Sequence, residues 1–79
     1  MDETLIRELM RKRLAERLEI AVDTIQDDQV FDAYGLDSVT AIELTYELET
    51  RLGHYVSPGI LFEYNTITKL ARHLAADNE

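Results

Sequence analysis

The chain has 79 residues, a formal net charge of −8, no cysteine and no tryptophan. A chain this short forms one domain, 1–79, too small to enclose a deep catalytic cleft, and without cysteine it can hold neither a disulfide nor a thiolate metal site. Sixteen acids against eight bases argue against nucleic acid, and no apolar run approaches the ~18 residues of a membrane span.

The first predicted element is a helix from about Asp2 to Glu19. Ile6, Leu9, Met10, Leu14 and Leu18 recur at helical spacing, and Asp2 or Thr4 can cap the start. Five of the eight bases fall here, at Arg7, Arg11, Lys12, Arg13 and Arg17. Residues 20–35 show no clean period. Val22, Ile25, Val30, Phe31 and Tyr34 are scattered among aspartates, which predicts a long ordered loop with a helical turn near Val30; loops of that length are often functional. Asp37 to Leu52 is the clearest helix, with Asp37 as N-cap and Gly53 as its stop. Ser57-Pro58 opens a short helix carrying Ile60, Leu61, Phe62 and Tyr64, with Pro at its first position. Thr66 caps a last helix to about Ala76, with Ile67, Leu70, Ala71 and Leu74 on one side. The tail 77–79 should fray. No strand alternation or repeat is present. The predicted fold is all-α: a small four-helix bundle of three main helices and one short one, with a long loop between helices 1 and 2. Its expected core is Leu5, Ile6, Leu9, Leu14, Leu18, Val30, Phe31, Leu44, Leu48, Leu52, Val56, Phe62, Ile67, Leu70 and Leu74.

The helix after Asp37 carries two apolar stripes. Ala41, Leu44, Leu48 and Leu52 form the core seam, while Val39, Ile42 and Tyr46 lie on another face, since each residue turns the helix by about 100°. A small bundle cannot bury both. The second stripe is bordered by Glu43, Glu47 and Glu49, in a window from Leu18 to Thr50 that contains no Lys or Arg. A solvated face explains such acids in general; an apolar strip ringed by carboxylates is also what a partner's groove would take up. Ser38 stands at the start of this helix. On position alone it is a helix-initiating residue, although a helix N-terminus also favours a phosphate. No G-x-S-x-G elbow surrounds it, and His54 and His73 are distant in sequence. No metal cluster or catalytic constellation is visible. Ser57, before Pro58, is an N-cap.

The stretch Phe31-Asp32-Ala33-Tyr34-Gly35-Leu36-Asp37-Ser38-Val39, followed by Ala41-Ile42-Glu43-Leu44, resembles the modification site of acyl carrier proteins. The stretches Val56-Ser57-Pro58, Leu61-Phe62-Glu63-Tyr64, Thr66-Ile67 and Leu70-Ala71-Leu74 are similar to the third and fourth helices of polyketide-synthase carrier domains. The resemblance covers Ile6 to Leu74. It implies a non-catalytic carrier that holds growing acyl or polyketide intermediates as thioesters on a covalent 4′-phosphopantetheine arm, taken from coenzyme A and attached at Ser38. Asp37 would cap the helix and contact the transferase. Leu36, Val39, Ile42, Glu43, Tyr46, Glu47 and Tyr64 would form the docking surface. The implied partners are a phosphopantetheinyl transferase, ketosynthase, acyltransferase and other synthase enzymes, met by a cytoplasmic domain that is monomeric in isolation. Val39 stands where the family often has leucine, Asn65 where polyketide carriers often have proline, and Leu44 where carriers serving β-branching cassettes have tryptophan. Leu36-Asp37 departs from the Gly-Gly-x-Ser of peptidyl carriers, the alternative assignment; a carrier-like interaction module without a prosthetic group is the other.

Overall fold

The computed structural model describes residues 2–77. Of the tail expected to fray, Asp77 is instead the last residue of α4, and residues 78 and 79 lie outside the described residues. Four α-helices and two 3-10 turns follow in the order α1 (Glu3–Leu18), η1 (Val22–Thr24), η2 (Phe31–Tyr34), α2 (Ser38–Leu52), α3 (Ile60–Glu63) and α4 (Ile67–Asp77). No strand occurs among the described residues.

The caps explain where the helices begin and end. Asp2, not Thr4, closes α1: its carboxylate accepts from the Leu5 N–H at 2.8 Å. Asp37 does the same for α2 with the Thr40 N–H, also at 2.8 Å. Gly53 ends α2 at φ 79°, a left-handed position that suits glycine. The Thr66 hydroxyl accepts from the Lys69 N–H at 3.1 Å and starts α4. The short helix begins later than its proline suggests. Ser57 and Pro58 belong to a preceding turn, in which the Ser57 carbonyl accepts from Ile60 N–H at 3.0 Å, and Gly59 is the residue before α3. The expected position of Pro58 as the first helical residue is therefore corrected by two residues.

Ile6, Met10 and Leu14 of α1 meet Leu44 and Leu48 of α2 and Ile67, Leu70 and Leu74 of α4 in one buried cluster, joined by Leu61 and by Phe31 from the loop. Leu5, Val30 and Phe62, all expected in the core, are exposed, while Leu9, Leu18 and Leu52 are only partly buried against it. Leu5 is one residue, hence about 100°, off the Ile6–Met10–Leu14 stripe. Val30 precedes η2 and turns outward while Phe31 turns in. A four-residue helix has one buried face, and Ile60 and Leu61 occupy it, which leaves Phe62 outside.

The loop between α1 and α2 is held by polar anchors as much as by apolar ones. Arg7 and Arg11 both donate to the Asp27 carboxylate, at 2.7 and 2.5 Å. The Thr68 N–H donates to the Asp27 carbonyl at 3.0 Å. The Thr68 hydroxyl accepts from Arg7 and donates to Asp28. Phe31 N–H reaches the Asn65 carbonyl at 2.9 Å, and the Tyr34 hydroxyl closes on Gln26. One carboxylate thus ties the loop to α1 while the adjoining backbone ties it to α4. That fixes the approach of the chain to Ser38.

Candidate functional site

Gly35 sets the approach. It follows η2 at φ 71°, in the left-handed region that a side chain would strain, and its N–H donates to the Asp32 carbonyl at 3.0 Å. The chain reverses there. Leu36 then packs against the core, Asp37 caps α2, and Ser38 becomes the first residue of α2. Ser38 is exposed, and its hydroxyl has no hydrogen-bond partner among the described residues. The Asp37 carboxyl is held below the usual carboxylate range, first by the Thr40 N–H and then by the Thr40 hydroxyl. A carboxylate so stabilised is a weak proton acceptor. Asp37 therefore orders the helix terminus and is poorly suited to deprotonate Ser38.

The second apolar stripe is open to solvent: Val39 is 62% exposed, Ile42 48% and Tyr46 69%. The carboxylates along it are engaged. Arg17 pairs with Glu43, and Arg13 Nε lies 2.7 Å from Glu47 Oε1. That second contact is an ion pair without hydrogen-bond alignment, because Arg13 Nε has no hydrogen-bond partner. Glu49 accepts from the Val56 N–H at 3.0 Å. Tyr64 is set apart from this face. It is half-buried and stacks on His73 of α4, with ring centroids 4.0 Å apart and planes 11° from parallel. A cavity of about 80 Å³ lies between the loop, α2 and α3, lined by Leu36, Ala41, Leu61, Phe62 and Asp32 among others.

The structure thus brings Leu36, Asp37, Ser38, Val39, Ile42 and Tyr46 to one end and one face of α2, and turns Tyr64 toward α4. Sequence reasoning missed the arginine partners. A signal was available: Arg13 and Arg17 are four apart, as are Glu43 and Glu47. Antiparallel helices with that spacing place Arg13 against Glu47 and Arg17 against Glu43. Phe62, expected in the core, stands instead on the cavity rim, and Tyr55, exposed beside Ile42 and Tyr46, had no place in the sequence reading.

Comparison with known proteins covers the stretch that contains these residues. The family model described as "Phosphopantetheine attachment site" matches residues 8–74. The chain is 36% identical over 66 residues, 84% of its length, to polyketide synthase PksM of Bacillus subtilis, and spans 2% of that protein. It is 35% identical over 75 residues, 94% of its length, to the spectinabilin polyketide synthase system protein NorC of Streptomyces orinoci, and spans 3% of it. A free-standing peptidyl carrier protein from an Acinetobacter baumannii secondary metabolic pathway superposes with a TM-score of 0.93 at 31% identity, covering 99% of this chain and 98% of that one.

Proposed function

Because the chain belongs to the phosphopantetheine-attachment family, whose members carry 4′-phosphopantetheine covalently, we propose that Ser38 is its attachment residue and that the whole of 1–79 acts as one carrier domain of a polyketide synthase. The observation that carries this reading is an exposed hydroxyl with no internal partner, set at the capped start of α2 inside the matched stretch. The residues present fit the arm. Nothing among the described residues competes for the Ser38 oxygen, and the turn at Gly35 leaves it open on one side. When bound, the arm supplies a thiol that holds acyl groups as thioesters.

The chain's own part is to present and to orient. Ser38 offers its hydroxyl as the acceptor of the phosphodiester bond. Asp37 keeps the first turn of α2 formed, and its low basicity leaves removal of the Ser38 proton to the transferase. Leu36, Val39, Ile42 and Tyr46 offer the transferase, a ketosynthase and an acyltransferase an apolar contact, with Glu43 and Glu47 along its border. Phe62 edges the cavity that Leu36 and Ala41 also line. At about 80 Å³ that cavity is well below the ~300–1,000 Å³ of ordinary ligand pockets, so cargo is displayed outside the bundle rather than enclosed by it. Tyr64 has one ring face stacked on His73 and lies apart from this contact.

The test is incubation with coenzyme A and a broad-specificity phosphopantetheinyl transferase, read by intact mass. The expected result is a single added phosphopantetheine that Ser38→Ala abolishes. A persistent mass gain in Ser38→Ala, or none in the parent, rejects the assignment. The likeness to a peptidyl carrier favours one second reading, an aminoacyl cargo. Offering the loaded chain malonyl and aminoacyl donors side by side separates the two.

A further inference from the structure

Tyr34 ends η2 immediately before Gly35, and its ring and its hydroxyl have separate attachments. The ring packs against the core, while the hydroxyl reaches eight residues back along the chain to Gln26. There it accepts from the Gln26 N–H at 3.0 Å and donates to the Gln26 carbonyl at 3.3 Å, a carbonyl that also accepts from the Gln29 N–H. Gln26 is itself held in place. Its neighbour Asp27 carries the carboxylate shared by Arg7 and Arg11 of α1, and the carbonyl that receives the Thr68 N–H of α4. One hydroxyl therefore joins the clamped part of the loop to the residue that enters the turn at Gly35. The turn 35–38 is otherwise lightly held, by the Gly35 N–H on Asp32, the Leu36 side chain on the core and the Asp37 cap.

A phenylalanine ring would fill the same place against the core, so apolar packing does not call for the hydroxyl. Gln26 is exposed, and water would satisfy its N–H and carbonyl if the hydroxyl were gone. The hydroxyl thus contributes order to the approach to Ser38 rather than burial.

We propose that Tyr34 is a positioning residue for the modification of Ser38: its hydroxyl ties the turn 35–38 to the clamp at Asp27, so that Ser38 meets the transferase in one presentation. This rests on the reading of Ser38 as the attachment residue. A protein substrate whose acceptor segment is ordered only part of the time binds more weakly by that fraction. The step after binding is unaffected, because Tyr34 acts through the backbone and not at the reacting atoms.

The probe is phosphopantetheine transfer from coenzyme A to the full chain by a broad-specificity transferase, followed by intact mass over a range of carrier concentrations. The parent, Tyr34→Phe and Ile6→Val are compared at a temperature where circular dichroism finds all three folded. Ile6→Val is the control: it trims a fully buried side chain of α1 and leaves both partners of the Tyr34–Gln26 contact in place. Tyr34→Phe is expected to raise KM for the carrier by about three- to ten-fold, the scale of one net hydrogen bond, with kcat changed by less than about two-fold. Ile6→Val lowers the melting temperature as well, yet should leave KM within about two-fold of the parent. A merely structural role for the hydroxyl would make the two variants alike. Amide hydrogen exchange without transferase is the independent readout. The Gly35 N–H bonds to Asp32 and not to the Tyr34 hydroxyl, so it should exchange several-fold faster in Tyr34→Phe and at the parental rate in Ile6→Val. The inference is overturned if Tyr34→Phe leaves KM unchanged, if kcat carries the loss, or if Ile6→Val raises KM as much. It is also overturned if KM rises while Gly35 exchange stays parental, for then the transferase touches the hydroxyl itself. Failure of the parent to be modified at all rejects the Ser38 assignment and this inference with it. The other outcomes reject the inference alone.

Discussion

Glu19 ends α1 at φ 57°, the only non-glycine residue with positive φ among those described, and its N–H donates to the Ala15 carbonyl. An L side chain in that region costs roughly 1 kcal/mol relative to glycine. The same residue adds a negative charge at a helix C-terminus, where the helix dipole disfavours one. Both effects point the same way. Glu19→Gly should stabilise the fold by about 0.5–1 kcal/mol and raise the melting temperature by several degrees, at roughly 4–8 °C per kcal/mol for a domain of this size. Circular dichroism melts check it, and a lower melting temperature would mean that Glu19 makes a favourable contact in solution. Chain position on its own is a weak guide to single residues. Ser38 reads by position as an ordinary helix start, and the role proposed for it comes only from the motif around it. Phe62 shows the reverse error. Large aromatics are usually inside, but a four-residue helix has too few positions to turn Ile60, Leu61 and Phe62 all inward.

At the scale of elements, α1, α2 and α4 were legible because their apolar spacing, caps and stop residues agree, and their observed bounds lie within a residue or so of the expected ones. The loop between α1 and α2 was legible only as a loop. Its order comes from Asp27, Thr68 and Asn65, which are distant in sequence and follow no period. Burial pushes the Asp27 carboxyl up, but hydrogen bonds from Arg11 and Arg7 outweigh it and hold the group below its ordinary value of 3.8. A carboxyl depressed in the folded state stabilises the fold above its unfolded pKa, and that contribution is lost as pH falls through the folded value. The loop's attachment should therefore be complete at neutral pH and weaken only below about pH 4. Asp27→Asn removes the charge that both arginines share and should cost about 1–3 kcal/mol at neutral pH. It should also flatten the stability decline below pH 4. Denaturant titrations at neutral and acidic pH test both claims. A variant with parental stability at neutral pH, or with an unchanged acid slope, contradicts the role given to Asp27.

For the whole molecule, the decisive constraint is size. A single core in a chain of this length supplies only ~3–5 kcal/mol of net stability, so α2 has to turn one face fully inward. Leu48 is 0% exposed and Tyr46, two residues away, is 69% exposed. The first belongs to the seam that joins α1, α2 and α4; the second belongs to the exposed ridge that we propose meets partners. The net charge of −8 divides in the same manner. Part of the acid is turned inward to Arg7, Arg11, Arg13 and Arg17 as interhelical and loop contacts, and it is not all available to attract cations. This partition predicts opposite outcomes for neighbouring truncations. Leu48→Ala should cost about 2–5 kcal/mol through lost burial and a cavity, comparable to the entire stability, so that much of the population is unfolded at 25 °C. Tyr46→Ala should change stability by no more than about 0.5 kcal/mol while it slows modification of Ser38. Urea titrations followed by circular dichroism, run beside the mass-based transfer assay, measure the two separately. If Tyr46→Ala unfolds the domain, α2 has no spare face, and the ridge is core that closes in solution. If Leu48→Ala remains fully folded, the bundle holds more stability than its size allows, and the physical reason for leaving the other face open is lost.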